Sequence, residues 1–234
     1  GNWATWNGWN VYRVGSTCSC ISLPYGKLAG SGKLTMPQLA TCRGDALMGQ
    51  IKVPSPLSEY QVCSLHIGDR LLIDGVMYVA RDAAHKRLVD LLSSGFDLPI
   101  DFYGQTIYYM GPSPAQPGSV IGACGPTTSR RMDRYTIPLL ERGLRVMIGK
   151  GERSAEIKQA IAAYRAVYLV TLGGAGALLA DCVKKAQTVC YPELGAEAIM
   201  RLEVENFPAV VAYDSKGGDL FQEETGKYRC SHKE

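Results

Sequence analysis

From Ile51 onward the apolar positions of the chain alternate between the two-residue period of strands and the 3.6-residue period of helices. Ser58 with Gln61 three residues later is a capping-box pattern, which predicts a short helix across SEYQVCSLH. RLLIDGVMYVA reads as a hairpin, two apolar runs joined at Asp74-Gly75, a dipeptide that tolerates positive φ. DAAHKRLVDLLSSG predicts a helix stopped by Gly95, QTIYYMG a short buried strand, PSPAQPGS a proline-punctuated loop and VIGAC a second strand. RYTIPLLERG then predicts a helix ended by Gly143, LRVMIG a strand, and SAEIKQAIAAYRA a helix capped by Ser154. VYLVTLGG and QTVCYP read as strands and AGALLADCVKKA as a helix. A last helix around AEAIMRL leads into FPAVVAYD, with Lys216-Gly217-Gly218 as a turn. Hairpin and helical crossover in one run predict a single α/β domain with a mixed sheet.

The first 47 residues break this pattern. All three tryptophans fall in GNWATWNGWN, small polar residues dominate the rest of the segment, and neither periodicity persists. A basic start followed by an apolar stretch, the mark of a secretory signal, is missing. The expected division is an atypical extension over 1–47, poorly ordered and outside the fold, and one domain over 48–234 that opens at Met48.

Composition and charge narrow the function classes. Hydrophobic content of 46% and charged content of 20% are ordinary for a globular protein, and no run approaches the roughly 18 apolar residues of a membrane span. The net charge of +3 is carried by Arg13, Lys27, Lys33 and Arg43 against Asp45, leaving the rest of the chain balanced. That argues against the basic face of a nucleic-acid binder. Cys63, Cys124, Cys182, Cys190 and Cys230 are scattered, with no C-x-x-C pair or Cys/His grouping of metal-site spacing. They read as free thiols in a reducing cytoplasm.

GACGPTTSRRMD concentrates the chemistry. A strand, then Gly125-Pro126-Thr127-Thr128-Ser129, then a helix describes a loop feeding a helix N-terminus, where free N–H groups attract anions. Thr127, Thr128 and Ser129 add hydroxyls, and Arg131 has the geometry to grip a carboxylate with two parallel bonds. The plain alternative is an N-cap with surface arginines. In YVARDAAHKRLVDLL, Arg81, His85, Leu88 and Leu92 share one helical face, so Arg81 and His85 look inward. An inward Arg requires a partner, Asp82 or another acid, or else an anionic ligand. His85 alone reads rather as a hydrogen-bonded core histidine. Lys150, between Gly149 and Gly151 at the end of an apolar strand, is a third cation where α/β sheets bind ligands. GKGERS lacks the spacing of a P-loop, and GGAGALL that of a dinucleotide fingerprint, which disfavours a nucleotide-dependent oxidoreductase. Three cationic elements around a hydroxyl-lined loop imply a small substrate with more than one carboxylate. Without a strong proton-transfer group or metal set, they read as half of a site.

YVARDAAHKR, IYYMGPSPAQPG, GPTTSRRMDRYTIPLLERG, MIGKGERS and LGGAGALL together resemble the beta subunit of the iron–sulfur class I fumarate hydratase and L(+)-tartrate dehydratase family, from Met48 to about Phe221. The resemblance implies a swivelling β/β/α domain and reversible hydration of fumarate, or dehydration of tartrate. It also implies a [4Fe–4S] cluster held by cysteines of an alpha subunit and not by this chain, one iron acting as a Lewis acid on the substrate. By the same resemblance Arg81, Arg131 and Lys150 bind substrate carboxylates beside Thr128, and Thr127 takes part in proton abstraction. His85 and Asp133 match the pattern in supporting roles. The alternative is a stand-alone dicarboxylate-binding module without catalysis.

Overall fold

The computed structural model describes residues 49–228 and, ahead of them, the backbone of two short antiparallel strands, β1 (Ala4–Trp6) and β2 (Trp9–Val11). The tryptophan side chains, and with them the expected disorder of residues 1–47, lie outside the described residues. The remaining elements are β3 (Gln50–Ser55), α1 (Glu59–Ser64), β4 (Arg70–Val79), α2 (Asp82–Ser93) and β5 (Thr106–Tyr108). A 3-10 turn (Ser129–Met132) runs into α3 (Asp133–Glu141), followed by β6 (Val146–Gly149), α4 (Ala155–Ala163), β7 (Val167–Val170) and α5 (Gly176–Asp181). β8 (Val183–Cys190), a 3-10 segment (Pro192–Glu197), β9 (Ile199–Tyr213) and α6 (Leu220–Tyr228) complete the chain as described.

Seven strands form one mixed sheet in the order β3-β4-β5-β6-β7-β9-β8. β3 to β7 are parallel, and β9 runs antiparallel to β7, β8 and also β4. Strands β4, β5, β6, β7 and β9 therefore close on themselves. The strand period then sorts side chains into two cores. Leu71, Ile73, Val146, Ile148, Val167 and Leu169 join Tyr108 and Phe207 in one cluster. Ile107, Met147 and Tyr168, from the same strands, face the other, where α2, α3 and α4 contribute Leu88, Leu139 and Ile157. Each such side chain stabilises the fold by about 1.5–3 kcal/mol on full burial, so these two faces hold the domain together. The expected α/β domain with a mixed sheet is what forms. No described helix is long and apolar enough to cross a membrane.

Local chemistry sets several boundaries as expected. Ser58 and Gln61 make the reciprocal capping box of α1, and the Ser154 side chain accepts from the Ile157 amide at the start of α4. Four readings are corrected. Asp74-Gly75 is no hairpin turn. β4 runs straight through it, shifting register against β9 between Ile73 and Gly75, because both halves have partners on both edges. VIGAC is no strand: Val120 is 53% exposed, and the first bridge after the segment is at Pro126, to Met110. The helix of AGALLADCVKKA stops at Asp181, and VKKA opens β8. AEAIMRL is no helix, for Ile199 begins the fifteen residues of β9. In the last two cases strand pairing overrides helix-forming composition.

Candidate active site

The parallel strands end along one edge, and the cations predicted from sequence sit at those ends. Arg81 follows β4 and Lys150 follows β6. Between them, backbone bonds stitch the next segments to the strand ends. The Ala80 amide donates to Tyr108 O (3.3 Å), Tyr109 to Ile148 O (2.8 Å), Thr127 to Tyr109 O (2.7 Å) and Ser129 to Lys150 O (3.0 Å). Thr128 and Lys150 form a parallel bridge. Thr127 is thus half-buried, with Thr128 and Lys150 exposed beside it.

Those bonds correct one expectation. The amides of Thr127 and Ser129 are occupied by carbonyls, so the loop is not a ring of free N–H donors. Neither Thr128 nor any side chain caps the 3-10 turn, which serves to carry Arg131 around the corner. Arg131 Nη2 then meets Asp82 Oδ2 at 3.1 Å, and Arg81 Nη2 lies 3.8 Å from the same oxygen. One carboxylate holds two guanidiniums together that would otherwise repel. Lys150 pairs with no acid among the described residues.

Glu197, which sequence reasoning missed, completes the hold on Arg81. Its Oε1 lies 3.4 Å from Arg81 Nη2, and its Oε2 accepts from the Ala83 amide at 2.9 Å, within the first turn of α2. Nothing in the spacing links residues 81 and 197; only the 3-10 segment before β9 brings them together. Arg81 reaches this place past Gly111, where a Cβ would stand 2.8 Å from Arg81 Cδ. Arg81 Nε is buried with no hydrogen-bond partner among the described residues. A buried donor left unmet costs about 1–3 kcal/mol, so an anion arriving here gains by meeting it.

Beneath the edge lies a buried polar layer. His85 is fully buried and its Nδ1 bonds Arg81 O at 2.8 Å, the core-histidine arrangement, with its ring against Tyr109. Burial pushes its pKa down to about 4, so the ring is neutral and supports Arg81 through the backbone. Asp133 faces inward: Oδ1 accepts from Arg153 Nε at 2.6 Å and Oδ2 from the Ser154 amide at 2.7 Å, bracing α3 against α4. Arg153, also missed from sequence, is 3% exposed and bonds Thr136 Oγ1 at 2.7 Å between the rings of Tyr109 and Tyr168. The GERS string held its identity but no sign of its burial.

No group of three or more His, Cys, Asp or Glu among the described residues is placed to hold a metal ion. Cys124 is buried, with its thiol bonded to Gly122 O and its pKa pushed up to about 12 by burial, so it stays protonated. These residues do not fit as ligands of an iron–sulfur cluster. Nor is the edge a closed cavity. A groove of about 370 Å³ beside Arg131 is lined by Arg130, Arg134, Ser154 and Glu156, not by Arg81, Thr127 or Lys150. On the loop after β7 and the helix beyond it, Leu172 is 59% and Leu178 68% exposed.

Fold and site together define a class: a mixed α/β domain with three cations and a pair of threonines along one strand edge. The particular membership comes from comparison. Residues 27–224 match the family described as Fumarase C-terminus, and the chain belongs to that family. It is 37% identical over 202 residues to the anaerobic class I fumarate hydratase of Escherichia coli K12, covering 84% of this chain and 36% of that one. Fumarate hydratase 2 of Leishmania major is 38% identical over 173 residues, 73% of this chain and 29% of the other. A provisionally named L(+)-tartrate dehydratase subunit beta of Methanocaldococcus jannaschii is 36% identical over 173 residues, 71% of this chain and 89% of its own length. The chain therefore spans about a third of the fumarate hydratases it matches, and nearly all of a beta subunit. The family match starts at residue 27, within the segment read from sequence as an extension.

Proposed function

We propose that this chain is the beta-type half of a hydro-lyase. It would add water across the double bond of a dicarboxylate such as fumarate, or remove water from tartrate, once joined to an alpha-type partner. The observation that carries this reading is the meeting of Arg81 and Arg131 at Asp82, on the same strand edge as Lys150 and Thr127. A dicarboxylate needs cationic groups at both ends, and three separated parts of the chain supply them. Arg81, Arg131 and Lys150 together hold its two carboxylates, Arg131 with the fork geometry to give one of them parallel N–H bonds. Fixing both ends leaves the carbon atoms between them in one orientation.

Thr127 Oγ1 is the group we assign to proton transfer at carbon. The hydrogen bond from its amide to Tyr109 O fixes the backbone that carries that oxygen. A threonine is a poor base at its free pKa, and the surrounding positive charge favours the alkoxide form it passes through. The iron–sulfur cluster is assigned to the partner, as the resemblance implies. The open edge, with Leu172 and Leu178 exposed nearby, supports a site completed by a second surface.

The test is to purify this chain with a cluster-loaded alpha subunit and assay fumarate hydration and tartrate dehydration. Activity in the mixture and in neither part alone is expected, falling roughly 10- to 100-fold on Arg131→Ala. Activity untouched by that substitution removes the assignment. Micromolar binding of fumarate by the isolated chain, with no turnover in the mixture, points instead to a dicarboxylate-binding module.

A further inference from the structure

We propose that Ser129 and Tyr168 are positioning residues that set the height of Lys150 above the strand edge. The inference builds on the reading of Lys150 as a carboxylate-binding group, but its geometry stands on hydrogen bonds alone. Lys150 is exposed and belongs to a glycine-flanked turn, Gly149-Lys150-Gly151, that by composition has little to hold it. In the fold it is held from below. The Lys150 amide donates to Ser129 Oγ at 3.1 Å, while the Ser129 amide donates to Lys150 O at 3.0 Å. Lys150 is thus gripped through both of its backbone groups by a single serine.

Ser129 is in turn anchored. Its Oγ lies 2.8 Å from Tyr168 Oη, which lies 2.9 Å from Gly151 O. A carbonyl only accepts, so the tyrosine proton goes to Gly151 O and the serine proton to Tyr168 Oη. Every hydrogen in the chain Lys150 N–H, Ser129 O–H and Tyr168 O–H then has one acceptor, and both sides of Lys150 are tied to one phenol. Ser129 and Tyr168 are both fully buried. Burial pushes the Tyr168 phenol pKa up, so the proton stays on it. The guanidinium of Arg153 lies 5.1 Å from the Tyr168 ring centroid, and the Tyr213 ring stacks on that ring at 5.4 Å. Gly149 is what lets the serine in: a Cβ there would stand 1.9 Å from Ser129 Oγ. None of these groups reaches the open edge, so each acts on substrate only through Lys150.

Two measurements test this, and they fail separately. In the full chain, amide hydrogen exchange at Lys150 is read with and without Ser129→Ala and Tyr168→Phe. Both variants are expected to speed exchange at Lys150 by about tenfold or more, while Val146 to Ile148 stay protected. An unchanged Lys150 amide overturns the proposal whether or not the chain is a hydratase. In the complex with the alpha subunit, each variant is expected to raise the KM for fumarate roughly fivefold with kcat little changed, as loss of uniform binding does. In a Lys150→Ala background neither should raise it further. A KM increase that persists without Lys150, or a fall in kcat alone, shows general damage and overturns the positioning role. Should Ser129→Ala fail to fold, the near-isosteric Tyr168→Phe carries both measurements. Should the complex show no turnover, the functional reading fails and the exchange result still decides this one.

Discussion

Arg131 on the rim and Arg153 in the layer beneath it flank the same carboxylate-bearing turn, yet the first side chain is 55% exposed and the second 0%. Arg131 meets one oxygen of Asp82 and leaves its other donors to solvent. Arg153 spends its donors on Asp133, Thr136 and the sulfur of Met147, and its faces on two tyrosine rings. A guanidinium open to solvent is available to a ligand; one whose three nitrogens are all engaged inside the protein holds structure. The same contrast separates Asp82, which gathers two arginines at the edge, from Asp133, whose two oxygens tie α3 to α4.

The contrast is sharpest where charge is removed from the buried layer. Arg153→Met leaves Asp133 inside the protein without its counter-ion, which costs about 3–5 kcal/mol. Urea unfolding should show that loss, and a variant as stable as the parent would break the distinction between the two regions. His85 gives the next largest effect, through pH. The folded ring titrates at about 4, lowered by burial and by the Arg153 charge, against 6.5 when unfolded. Below pH 6.5 the unfolded chain takes up a proton that the folded chain refuses. Its contribution is therefore complete above pH 6.5 and drains away as pH falls to 4, about 3 kcal/mol in all. Urea midpoints between pH 7 and 4.5 should fall accordingly, and less steeply in His85→Gln.

On the rim the effects move from stability to activity. On the proposed function, Arg131→Ala removes charge-assisted hydrogen bonds worth about 1.5–3 kcal/mol to a bound carboxylate. That is a loss of roughly 10- to 100-fold in kcat/KM for the assembled enzyme, with the melting temperature close to that of the parent. The smallest effect belongs to Lys86, paired with Asp90 at 2.8 Å on the outer face of α2. Lys86→Ala should alter neither turnover nor unfolding measurably. A clear change in either would mean that burial and ligand access are not what sorts these cations.

Motif spacing made Arg81, Thr127, Arg131 and Lys150 visible as a group of like chemistry, but said nothing of Glu197, Arg153 or Tyr168. The first four stand in strings of glycine, hydroxyl and cationic residues that are unusual in themselves. The last three are ordinary residues in ordinary contexts, and their roles arise only from which partners the fold brings near. The strand errors have the same origin: AEAIMRL composes well as a helix, and becomes strand because β9 must pair with β4, β7 and β8.

What the amino-acid order determined by itself was local and periodic. It set the caps of α1 and α4, the alternation that builds two apolar faces, and the cation-bearing turns that identify the family. Hydrogen bonds and side-chain periods act over a few residues, so they can be read from the string. Which cation faces solvent and which is buried was decided by tertiary structure, because desolvation and pairing depend on neighbours brought in from elsewhere in the chain, as Glu197 is to Arg81.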